Sequence, residues 1–380
     1  MMRTMRAVLV LTLVAVGLLP AVPSGAEVAP SDAVPVCGPV PQGYARCLAE
    51  VSRGVTTDGV NAAAAPAGFS PKQLKQAYEF PTGNKVGEGQ TIAVVSAFDA
   101  PTVEQDLKKF SKQFDLPACT TANGCFTKVD RDGGTNYPPY DRGWALETAL
   151  DVQWVHAIAP GARIVLVEAT SNAFGHLMGA VDHAGTRADY VTNSWGAAEV
   201  PSLAIFEPIF TRFPEVSYFA GSGDDGLGGI YPSSSPNVIS VGGTTLTLRS
   251  DGSVKDERGW SGSGGGCSTL FAATAPQLAH PTVNQVGCGS DRAFPDVSAL
   301  GDPQTGAAAY STDFGGWVTV GGTSLATPII AARAAGTGAL VNEEYMYGGS
   351  VKFRDIKEGN NGAPCLPGFD LVTGQGRWRR

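Results

Sequence analysis

Short apolar runs and longer stretches of helical period alternate along this chain. Residues 91–97 form a brief apolar run that predicts a buried strand, and 103–114 places apolar residues at helical spacing, predicting an amphipathic helix. The order then repeats, with a helix over 145–159, a strand over 163–167, a helix over 173–184, a strand over 189–194, a helix over 202–213, and strands over 216–220 and 238–241. Such alternation predicts an α/β fold: a mainly parallel sheet with helices on both faces, its ligand sites at the carboxyl ends of the strands. Residues 221–229 and 260–266 are glycine-dense and read as loops. Upstream, 27–68 is rich in Ala, Pro and Gly with little period of either kind, so it reads as a tethered leader or short pro-segment before a folded domain over 69–380.

The chain has 380 residues, 43% of them hydrophobic, enough for a full core. Its start bears on where the protein works. Arg3 and Arg6 precede an apolar run over 7–19, followed by Pro20, Pro23 and the small residues Ser24-Gly25-Ala26. That run is too short to span a bilayer and reads as a secretory signal peptide over 1–26, so the protein is expected to be secreted to the extracellular side. Six of the seven cysteines fall into near pairs, Cys37 with Cys47, Cys119 with Cys125 and Cys267 with Cys288. Three short disulfide loops are expected; the sequence leaves the connectivity open, with Cys365 either free or paired in a rearranged set. Zinc fits poorly, because no pair has CxxC spacing and no histidine lies beside one. A net charge of −8 and a pI near 5.1 argue against nucleic acid or anionic membrane as the main partner.

The stretch Gly321-Gly322-Thr323-Ser324-Leu325-Ala326-Thr327-Pro328 sets a serine hydroxyl where a glycine turn runs into an apolar helix. Two glycines permit a tight backbone and close approach of a substrate, the helix N-terminus favours developing negative charge, and Pro328 is expected in the first turn. An N-cap serine beside a glycine hinge is the plainer reading. A second pattern is Glu147 and Asp151, four apart on one helix face and followed by apolar residues, with no basic residue to pair them. If that face is buried, repulsion and desolvation let the two share a proton, which suits acid and base work; a solvated acidic stripe is the alternative. The loop Gly221-Ser222-Gly223-Asp224-Asp225-Gly226 makes a poor phosphate cradle, since it has two acids and no lysine. A serine nucleophile usually takes a histidine base, and Asp99, His183 and Ser324 stand in the chain order of a subtilisin triad. Their spacing argues against that set, because the helix soon after the first strand carries Glu147 and Asp151 in place of a histidine.

Six separated stretches resemble the sedolisins, serine-carboxyl peptidases that keep a subtilisin-like fold and replace the histidine by glutamate. They are Glu147 with Asp151; Asn193-Ser194-Trp195-Gly196; Ser222-Gly223-Asp224; 231–236 leading into 241–244; Phe294-Pro295-Asp296-Val297-Ser298-Ala299; and Gly322-Thr323-Ser324 with Pro328. The resemblance spans roughly 69–376. It implies Ser324 as nucleophile, Glu147 as its base, Asp151 as the group that orients Glu147, and Asp224 as the oxyanion-hole residue. Only a protonated carboxyl can donate a hydrogen bond, so activity is expected to favour acid. Asp225 stands where the family usually has a smaller residue, and its charge is expected to raise the pKa of Asp224. The resemblance also implies a calcium site built from Asp355 and Asp370 with the backbone carbonyls of Ile356, Leu366 and Gly368, hard oxygens suited to Ca2+. Sedolisins usually carry a long folded prodomain, for which the stretch between Ala26 and the first strand is too short.

The expected function is that of a secreted serine-carboxyl peptidase that hydrolyses peptide bonds through an acyl-enzyme. The expected partners are protein or peptide substrates, without nucleic acid or lasting membrane association, for a monomeric chain. The competing expectations are a subtilisin-type Asp99, His183, Ser324 peptidase and a catalytically silent secreted binding protein on the same scaffold.

Overall fold

In the computed structural model of the chain, the described residues are 33–52 and 65–379, so the expected signal peptide lies outside them. Three short strands come first, β1 (Ala33–Pro35), β2 (Arg46–Cys47) and β3 (Glu50–Ser52). After α1 (Pro71–Ala77) the expected alternation sets in: β4 (Thr91–Ala97), α2 (Val103–Gln113), β5 (Phe126–Asp130), α3 (Arg142–Ile158), β6 (Arg163–Ala169), α4 (Phe174–Gly185) and β7 (Tyr190–Asn193). The next elements are β8 (Trp195–Ala198), α5 (Glu207–Thr211), β9 (Ser217–Gly221), β10 (Ile230–Tyr231), β11 (Ile239–Leu248), β12 (Val254–Gly259), β13 (Gly266–Ala272), α6 (Ala275–Ala279), β14 (Asp291–Phe294) and β15 (Val297–Leu300). The hairpin β16 (Ala307–Ser311) and β17 (Gly316–Gly321) feeds α7 (Thr323–Ala335), and α8 (Glu343–Tyr347), β18 (Phe353–Arg354) and β19 (Arg377–Trp378) close the fold.

The central sheet runs β18-β19-β15-β11-β9-β7-β4-β6-β5, parallel from β19 to β5, with β12 added antiparallel on β11. Strand β4 shows why it needs helices on both sides. Ile92 and Val94 point into a core shared with α2, α3 and α7, whereas Ala93, Val95 and Ala97 point into a second core shared with α4 and α5. The helix expected over 202–213 is instead a 3₁₀ turn over Pro201–Phe206 followed by α5, with Pro201 and Pro208 each at a first-turn position.

The leader expected over 27–68 is, in its described part, woven into the body. The described residues belong to one compact unit. Within it β1 pairs with β3, β3 pairs with β17, and β2 pairs with β8. Single-strand contacts of two or three residues leave no period to read, which is why the pattern gave no hint of them. All three expected disulfides form, and Cys365 is free and buried.

Candidate active site

The site begins at the turn from β17 into α7. Gly322 sits at φ 91°, a conformation that disfavours a side chain, and an added Cβ would meet the Leu48 carbonyl oxygen at 1.8 Å and Asp224 Oδ2 at 2.9 Å. Glycine is thus required for both conformation and space. The helix begins at Thr323, so Pro328 lies inside it and not in its first turn. Its missing N–H is the donor that Ser324's carbonyl would otherwise receive four residues later; the Ser194 hydroxyl oxygen lies 3.4 Å from that carbonyl, with its proton directed to Asp151.

Ser324 Oγ donates to Glu147 Oε2 at 2.8 Å and lies 3.2 Å from the Ser194 carbonyl oxygen. Glu147 and Asp151 project from α3, whose residues from Trp144 to Ile158 are all buried. Burial is the main force raising the pKa of Glu147 well above the carboxylate range; the Asp151 charge adds to it, and the hydrogen bond from Ser324 works against it. Burial likewise raises Asp151, opposed by the Ser194 hydroxyl, which donates to Asp151 Oδ1 at 2.7 Å. Glu147 Oε1 and Asp151 Oδ2 have no hydrogen-bond donor among the described residues, so a single proton held by the pair would relieve both repulsion and lost solvation.

Asp224 arrives from the loop after β9. Its Oδ1 accepts from the Thr323 N–H at 2.7 Å and the Thr323 hydroxyl at 2.8 Å. With Oδ1 engaged twice as an acceptor, Oδ2 is the oxygen free to carry a proton. Burial raises this carboxyl well above its ordinary value, and the neighbouring charge that adds to the shift is Glu50. Asp225, for which that effect was expected, pairs with Arg46, whose Nη2 lies 2.5 Å from Asp225 Oδ2.

A sequence profile described as the subtilase family matches residues 143–352, more than half of the chain. The chain belongs to the subtilase family. Within it, the relatives are sedolisins. Kumamolisin of Bacillus sp. (strain MN-32) is 31% identical over 82% of this chain and 62% of its own, and sedolisin of Pseudomonas sp. (strain 101) is 26% identical over 83% of this chain and 60% of its own. This subtilase thus spans about three fifths of the length of the curated relatives it matches. The solved structure of Pseudomonas sedolisin, a serine-carboxyl proteinase complexed with two molecules of pseudo-iodotyrostatin, superposes with a TM-score of 0.70 at 25% identity, over 83% of this chain and 96% of that one.

The subtilase keeps the rival triad apart. Asp99 is bound to Lys128, which also pairs with Glu168 at 3.2 Å, and His183 packs on α4 against Gly133 and Arg187. Of the expected metal residues, Asp370 is fully buried, accepting from the backbone N–H groups of Val372 and Thr373 on Oδ1 and of Leu366 on Oδ2. Asp355 Oδ1 is buried with no hydrogen-bond partner among the described residues. Both carboxylates lie close enough to the Cys365 thiol to help burial push it up to about 12. Gly368 holds φ 89°, and Ile356 is buried nearby in the chain.

Three contributors escaped the sequence reading. Ser194, quoted there only as part of a motif, bridges Ser324 and Asp151 through its carbonyl and hydroxyl. Glu50 and Leu48 lie in the expected leader, yet both are buried at the turn from β17 into α7. The one signal pointing to them was the Cys37–Cys47 pair, since a loop worth stapling is a loop held in place.

Proposed function

We propose that this chain is a secreted serine-carboxyl peptidase. The observation that carries the reading is the Ser324 Oγ to Glu147 Oε2 hydrogen bond at 2.8 Å, with Asp151 one helical turn behind the glutamate. In this mechanism Glu147 takes the proton of Ser324 as the oxygen attacks a peptide carbonyl, and later delivers it to the departing amine. Asp151 keeps Glu147 basic enough to accept that proton by carrying the adjacent negative charge. The oxyanion meets the Ser324 backbone N–H and, on the other side, the Asp224 carboxyl as a donor. Asp224 must be protonated for this, so activity is expected on the acid side and to fall as pH rises through its raised pKa.

The three disulfides support an exported protein, and no helix among the described residues is long and apolar enough to cross a membrane. The buried, unpartnered Asp355 oxygen and the neighbouring Asp370 support a structural calcium ion held by Asp355, Asp370 and the carbonyls of Ile356, Leu366 and Gly368. Such an ion would neutralise two close carboxylates and tie the C-terminal loops together. The test is prolonged incubation of the protein with a denatured protein substrate at about pH 4 and at pH 7. Release of peptides by the wild type, stronger at acid pH and absent in Ser324→Ala, is the expected result; equal release by Ser324→Ala would overturn the proposal.

A further inference from the structure

Away from the β17–α7 turn, a groove of about 790 Å³ opens between α1 and the stretch that follows α2. Its apolar wall is built from Pro71, Phe80, Pro81, Phe114 and Leu116, and its volume lies in the range of small-molecule sites. Lys75, in the last turn of α1, lines the same groove and is only 8% exposed. Lysine is rarely so buried unless its charge is paired, because an ammonium withdrawn from water loses solvation that only an opposite charge or good acceptors restore.

The fold supplies no such partner among the described residues. Burial alone acts on the Lys75 amine, pushing its pKa from 10.5 down to about 8, with no neighbouring carboxylate to hold it up. Glu79, the carboxylate on the same groove, pairs instead with Arg379 at 3.6 Å. The titratable group whose charge Lys75 does affect is His156 of α3, which is fully buried and lowered to about 4, chiefly by burial, so it stays neutral. Its Nε2 lies 2.8 Å from the Pro117 carbonyl oxygen. Lys72 lines the groove too and adds a second positive charge.

We propose that this groove is a binding site for an aliphatic monocarboxylate, whose carboxylate pairs with Lys75 while its hydrocarbon chain lies along Phe80, Phe114 and Leu116. The inference goes beyond the peptidase reading and does not depend on it. A single buried ammonium suits one negative charge; a phosphate would bring more charge and ask for several converging donors. A peptide would carry backbone N–H and C=O groups that each need a partner, and the Gln76 amide beside the groove already donates to the Asp251 carbonyl at 3.0 Å. A hydrocarbon chain makes no such demand. It covers exposed apolar wall, and its head group restores to Lys75 what burial removes.

The experiment uses the full chain as Ser324→Ala, which excludes digestion during long measurements, with and without Lys75→Met. Isothermal titration calorimetry with sodium octanoate, 1-octanol and sodium acetate separates the head group from the chain. Octanoate should bind about 10- to 100-fold more tightly than octanol, the worth of a hydrogen-bonded charge, and acetate should bind more weakly than either. Lys75→Met keeps the apolar stem and should abolish the preference for octanoate while leaving octanol binding nearly unchanged. At about pH 8.5 octanoate should also draw a proton onto Lys75, read as a binding heat that varies with the ionisation enthalpy of the buffer. Equal affinity for octanoate and octanol overturns the proposal, as does an octanoate preference that survives in Lys75→Met. Should that variant fail to fold, the octanoate and octanol comparison and the proton uptake decide without it. Tighter binding of an N-acetylated peptide ending in leucine than of octanoate would overturn the aliphatic assignment.

Discussion

Replacing Glu50 by glutamine should stabilise residues 46–52, the strap that lies against the β17–α7 turn, at neutral pH. Glu50 is buried beside Asp224, and its carboxyl is raised from 4.5 to about 7, mainly by desolvation and against the attraction of Arg46. A raised acid binds more protons folded than unfolded between these two values, so stability is highest below 4.5 and declines as pH climbs to about 7. At 1.36 kcal/mol for each tenfold change in proton affinity, the decline amounts to about 3 kcal/mol. Glutamine keeps the neutral form's shape and cannot ionise, so it removes the decline. Differential scanning calorimetry between pH 4 and 8, in a Ser324→Ala background that prevents self-digestion, should show the Glu50→Gln curve pulling above its parent by about 4 °C at neutral pH if β3 melts with the whole domain. If the strap lifts off first, the gain appears as slower amide exchange over 46–52. Parallel pH curves together with unchanged exchange would refute the assignment of Glu50 as a buried, costly charge.

Other outcomes follow from the same geometry. Glu147→Gln should lower kcat by roughly 100- to 10,000-fold with little change in KM, whereas His183→Ala should leave both within about twofold, as steady-state kinetics on a peptide will show. Asp224→Ala should cost about 100- to 1,000-fold in kcat and remove the alkaline fall of the pH–rate profile, because the group whose deprotonation ends donation is gone. Chelation of calcium should lower the melting temperature of the wild type and leave that of Asp370→Ala unmoved, read by thermal unfolding with and without chelator.

The parts of the fold legible in the sequence were those whose burial repeats with a period. Strand β4 appeared at its observed bounds because alternate residues enter two different cores, leaving an apolar run with polar edges. The helix carrying Glu147 and Asp151 was legible for a related reason, since an all-apolar setting gives two acids four apart no other use. What failed was structure made by pairing without period. The β16–β17 hairpin is built from Ala307-Ala308-Ala309 and glycine-flanked residues, whose small side chains carry little hydrophobic signal. The strap is held mostly by backbone bonds and one disulfide, and backbone bonds are nearly indifferent to side chain. Hence Glu50 is a charge that bears on Asp224: contiguity in sequence suggested Asp225, and strand pairing supplied Glu50.

The pairing of β3 with β17 also orders events during synthesis. Val51 and Glu50 await Val320 and Gly321, three to four residues ahead of Ser324, and Glu147 lies 177 residues before that serine. A growing chain therefore carries its acids and its strap long before it has a nucleophile. When the nucleophile emerges, the strand that delivers it is the one that seats the strap. On the proposed reading, the serine hydroxyl is therefore covered as soon as it is placed.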